Sequence, residues 1–127
     1  MRIDTPFDPI EVGEIDYFCF DFTYDLGASI ILSSQFNCYL ASHQNVIDVN
    51  PQSHVIAVIT ATLIAVREPP GAVLINQNGN FIIGQIGGFD NTMIGGTYIL
   101  EATATTNDSP ARVLKLNATV QCVGINE

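Results

Sequence analysis

Two histidines, three cysteines and 13 acids are the side chains with which this 127-residue chain could do chemistry. A nucleophilic triad needs Ser or Cys, a His base and a carboxylate, with a recognisable local context around the nucleophile. Cys19, Cys38 and Cys122 have no such context, and His43 and His54 lie in or beside a polar stretch that reads as surface loop. Zinc is bound by closely spaced Cys and His, and the chain contains no C-x-x-C. Asp21 and Asp25 would share a helix face, but their surroundings do not read as helix. A calcium loop would also need its Gly and a bidentate Glu in register. Gly87-Gly88 and Gly95-Gly96 do not lead from a strand into a helix, so they form no phosphate cradle. Glu68 and the acids of the first strand are carboxylates without the fixed separation that glycoside hydrolysis requires. The residues by themselves predict no catalytic site, no metal and no cofactor.

The elements that must position these groups are strands. In Thr97–Thr105, positions 98, 100, 102 and 104 are apolar and 97, 101, 103 and 105 polar. After Thr106-Asn107-Asp108-Ser109-Pro110, the apolar set Leu114, Leu116, Ala118, Val120 and Cys122 alternates with Lys115, Asn117, Thr119 and Gln121. A side-chain period of two predicts a hairpin with one set on a core and the other in water. Phe18, Phe20 and Phe22 share a face of an earlier strand from Ile15 to Phe22, and residues 29–40 read as one or two more. The apolar run Val55–Val66 fits neither period cleanly, but its β-branched residues suit strand better than helix. Ala72–Ile75 and Phe81–Ile86 flank Asn78-Gly79 and read as a hairpin with its return strand. Seven to nine short strands without an amphipathic helix predict an all-β fold, an antiparallel immunoglobulin-like β-sandwich. Tyr98 stands either at a tyrosine-corner position, its phenol bonded to nearby backbone, or as an ordinary buried strand tyrosine.

Residues 1–14 hold Pro6, Pro9 and Gly13 and no clean period, which predicts an extended N-terminal arm outside a sandwich domain of residues 15–127. Phe7, Asp8, Pro9 and Ile10 are the candidate partner-docking residues, because a solvated tail has no need of Phe7 and Ile10. A chain of this length suits one domain, burying roughly two-thirds of the surface its unfolded form exposes. With 47% apolar and 13% charged residues it has ample core material. Its net charge of −9 and its scattered Arg2, Arg67, Arg112 and Lys115 disfavour nucleic acid. The acids crowded into the first 25 residues read as a solvated face. No run reaches the roughly 20 apolar residues of a membrane span. An N-terminus followed by acids carries no visible leader, which predicts synthesis in a cytosol with three free thiols.

Several short words in the chain resemble a family of small tailed-bacteriophage and prophage virion proteins, the fibre-to-tail adaptors. They are Asp8-Pro9, Ile15-Asp16-Tyr17, Phe20-Asp21-Phe22, Leu26, Ile30 and Ser33-Ser34, then Gly95-Gly96-Thr97-Tyr98 and Thr105-Thr106 ahead of Arg112 and Leu114. Phe22 and Phe36 would occupy places where that family often has Trp, and residues 43–86 have no counterpart in it. The resemblance implies a non-enzymatic virion structural protein, synthesised in the bacterial host cytoplasm and present in multiple copies. Its partners would be other virion proteins: tail tube, nozzle or connector, and fibre proteins. The rival expectation is a carbohydrate-binding or other ligand-binding β-sandwich module, with Tyr24 and Tyr39 as the candidates for stacking on sugar.

Overall fold

The computed structural model describes residues 7–41, 45–59, 63–66, 72–75 and 80–125. Within it the alternating stretch becomes the hairpin of β8 (Thr97–Thr106) and β9 (Val113–Val123). The register sets Tyr98 against Val120, Leu100 against Ala118 and Ala102 against Leu116, so both apolar sets lie on one face. Tyr98, Leu100, Ala102, Ala104, Leu116, Ala118, Val120 and Cys122 are all buried. β3 (Ile31–Leu40) adds to the free edge of β8 as a single strand, with a register shift between Ile31 and Ser33.

A second sheet faces this one. Its strands are β2 (Asp16–Asp21), β4 (Val55–Ile59) and β7 (Phe81–Ile86), with β7 in the centre. Phe18, Phe20 and Phe22 enter the core on one side of the chain, as their spacing predicts. The sheets come close where Phe36 of β3 covers Gly84 of β7, since a Cβ on Gly84 would stand 2.7 Å from the Phe36 ring. Any larger residue there would push the layers apart. The fold is an all-β sandwich, and among the described residues the pairing is antiparallel except at one edge.

That edge overturns the expectation of an arm outside the core. β1 (Ile10–Glu11) pairs in parallel with β9, Ile10 opposite Cys122 and Glu11 opposite Val123. The Phe7 amide donates to the Thr119 carbonyl at 2.9 Å. Ile10 is completely buried, and the Phe7 ring lies 5.0 Å from Phe18 and 5.4 Å from Phe20. The physical reason is a shared need: β9 has an edge of unpaired backbone groups to cover, and the sandwich has an open side that two apolar residues fill. Residues 1–6 of the predicted arm lie outside the described residues.

Two smaller expectations also change. Ala72–Ile75 does form a strand, β6, but it pairs with β5 (Leu63–Val66) instead of turning back on Phe81–Ile86. β7 already has β2 on one edge and β4 on the other, which leaves no edge for β6. Asn78-Gly79, the expected turn, lies outside the described residues. Asp25 lies within a single helical turn, α1 (Thr23–Leu26), where no helix was expected, and Asp21 just before it accepts from the Thr23 amide through Oδ1.

Candidate functional site

Two groups of polar side chains are held out of water, one inside the sandwich and one on its outer face. The inner group begins with the loop that enters β4. His54 ends a 3-10 turn over Pro51–His54 and is 2% exposed, not at the surface as its polar neighbours predict. Its ring stacks on Phe89 with centroids 4.0 Å apart and meets Tyr98 edge-on. Nδ1 lies 3.0 Å from the Gly87 carbonyl and Nε2 lies 2.7 Å from Asp48 Oδ2. A carbonyl can only accept, so Nδ1 carries a proton. The Tyr98 hydroxyl donates to the same Asp48 oxygen at 2.9 Å, and the Asn50 amide donates to Oδ1.

Burial opposes ionisation of Asp48, but the bonds from His54, Tyr98 and the Asn50 amide, with the His54 charge, hold its carboxyl below the ordinary value. The same contact, on top of burial, drives the Tyr98 phenol upward. Tyr98 is therefore not a tyrosine corner: its phenol reaches a side chain 50 residues upstream, not nearby backbone. What the arrangement does chemically is anchor a loop. Asp48 points inward, and its neighbours Ile47 and Val49 point out, 82% and 95% exposed.

The outer group lies across β3, β8 and β9. Asn37, Glu101 and Asn117 occupy one row in register, on the polar side of all three strands. Alternation predicts that they are solvated, yet Glu101 is 3% exposed and Asn117 not at all. Glu101 Oε2 and both polar atoms of the Asn117 side chain have no hydrogen-bond partner. Lys115 Nζ approaches Glu101 Oε1 only to 4.0 Å. Burial and then the Glu101 charge raise the Tyr39 phenol, which lies on the same face. A concavity of about 460 Å³ opens over this face, with Glu101, Tyr39, Asn37, Gln35, Thr103 and Lys115 among its walls.

A third cluster is complete in itself. Asp108 accepts from Ser29, Thr106 and Arg112, and these bonds hold its carboxyl at about 2. Arg112 also donates to the carbonyls of Asp25 and Leu26. The cluster ties the β8–β9 turn to the α1 turn, a structural task. Of the predicted docking residues, Ile10 is built into the core and Phe7 packs against it, while Asp8 and Pro9 remain at the surface. All three cysteines are free thiols, and burial, with Asp21 and Asp48 nearby, pushes Cys19 and Cys38 up to about 12. Among the described residues no group of three or more His, Cys, Asp or Glu is placed to hold a metal. His43 lies outside them.

Sequence reasoning missed both polar groups. His54, Asp48 and Tyr98 carry no spacing signal, and Glu101 and Asn117 look like ordinary outward strand residues. The one available hint was that Glu101 and Asn117 fall directly opposite each other once the hairpin register is counted from its turn. Comparison with protein-family models, with curated proteins and with solved structures finds no match to this chain.

Proposed function

We propose that this chain is a non-enzymatic structural component of a tailed-bacteriophage particle, a tail or neck adaptor. It docks on the tail or connector, in multiple copies, and links fibres or neighbouring tail proteins. The short words shared with fibre-to-tail adaptors support this reading, and the anchored loop is the observation that carries it. Asp48 is fixed by His54 and Tyr98, and the two aliphatic side chains beside it stand in solvent. A rigid loop has little conformational freedom left to lose on docking. Covering Ile47 and Val49 with a partner surface would contribute about 1.5–3 kcal/mol each.

Mass spectrometry of purified particles tests the proposal together with the double variant Ile47→Asp, Val49→Asp. The parent protein should be present in several copies, and the variant should be absent from particles while melting at the parent temperature. A parent protein missing from particles, or a variant that is incorporated normally, contradicts it. The concavity over β3, β8 and β9 favours a second reading, a ligand-binding sandwich module.

A further inference from the structure

An outward strand residue is normally satisfied by water. Glu101 and Asn117 are not: they are buried on the outer side of the sheet, and Glu101 Oε2, Asn117 Oδ1 and Asn117 Nδ2 meet nothing. Each buried polar atom left without a partner costs about 1–3 kcal/mol. The carboxylate forms part of the wall of a concavity whose volume, about 460 Å³, is in the range of small-molecule sites. Val113 is the one wholly aliphatic side chain among its walls; the others carry a hydroxyl, an amide or a charge. A hydrocarbon ligand would leave those groups unpaired.

Charge narrows the class further. Glu101 and Lys115 offset each other at its wall, so the lining favours a ligand without net charge, and the net charge of −9 on the chain works against an anion. A sugar hydroxyl both donates and accepts. It can donate a hydrogen bond to the Glu101 carboxylate and accept one from Gln35, Asn37 or Lys115. Tyr39, 46% exposed, offers a ring face with a polar tip, the combination that suits an amphipathic sugar ring.

We infer that this concavity binds a neutral polyhydroxy ligand of one or two saccharide units, with Glu101 as the acceptor that orients it and Tyr39 as the stacking surface. The inference rests on the ligand-binding reading and is independent of the adaptor reading. Soluble neutral mono- and disaccharides, and separately butylammonium as a simple cation, are titrated into the full chain and followed by amide NMR. Saccharides should shift resonances of β3, β8 and β9. Glu101→Gln and Tyr39→Ala should each weaken binding about tenfold or more while leaving the melting temperature close to that of the parent. Equal saccharide affinity in parent and both variants overturns the assignment. Response to butylammonium alone keeps the ligand-binding reading and overturns the saccharide class. No response to either probe overturns both.

Discussion

Asp48 and Glu101 are both carboxylates withdrawn from water, and they differ in what meets them. Asp48 is hydrogen-bonded to His54, Tyr98 and the Asn50 amide. Glu101 has a side-chain hydrogen bond with Tyr39, a lysine at the edge of ion-pair distance and one oxygen without a hydrogen-bond partner. The same residue chemistry therefore serves opposite ends. A buried carboxylate supplied with donors from within the chain stabilises a local conformation. One left short of donors costs the fold stability.

The largest expected effect comes from breaking the complete group. Asp48→Ala leaves the His54 Nε2 and the Tyr98 hydroxyl buried without their common acceptor. Each buried polar group left without its partner costs about 1–3 kcal/mol, and here there are two, to be read from the denaturant midpoint. Acid reaches the same bond without mutation. The Asp48 carboxyl titrates lower in the folded than in the unfolded chain, so its contribution is present above the unfolded carboxyl value, about 3.9. It is lost as pH falls through the lower folded value. Asp108, also lowered, titrates in the same region, so the difference between the parent and Asp48→Asn acid curves isolates the anchor. The two curves should converge at low pH; parallel curves would mean that Asp48 contributes nothing by its charge.

A gentler cut is Tyr98→Phe, which keeps the ring and removes one bond to the carboxylate. A cost of about 1–3 kcal/mol is expected, smaller than for Asp48→Ala because His54 still holds Asp48. In a double-mutant cycle with Asp48→Ala the two costs should fall short of their sum, since they share one interaction. Additive costs would show that Tyr98 and Asp48 act separately.

How much of this was legible in the chain follows from how far each signal reaches. Tyr98, Leu100, Leu116 and Val120 are core by a period of two that a single strand contains, and Phe18 and Phe20 likewise. Ile10 is core because of pairing with Cys122 at the opposite end of the chain, and no local pattern reports that. Asn78-Gly79 predicted a hairpin from local turn chemistry, but β7 was already flanked on both edges by distant strands. His54 sits among polar residues and is nevertheless buried, because Phe89 and Tyr98 converge on it from two other segments and Asp48 from its own loop. Alternation identifies which side of a sheet Glu101 and Asn117 occupy; it does not report whether water reaches that side.

The contrast between the two carboxylates is tested most directly by the stability of Glu101→Met, a change that keeps the side-chain length and removes the unmet oxygen. If Glu101 is held for a ligand and not for the fold, the denaturant midpoint of the unliganded variant should equal or exceed that of the parent. The gain would be up to about 1–3 kcal/mol, the cost of the unpaired group. A loss of more than about 1 kcal/mol would show that Glu101, like Asp48, is paired to the benefit of the fold, and would contradict the account.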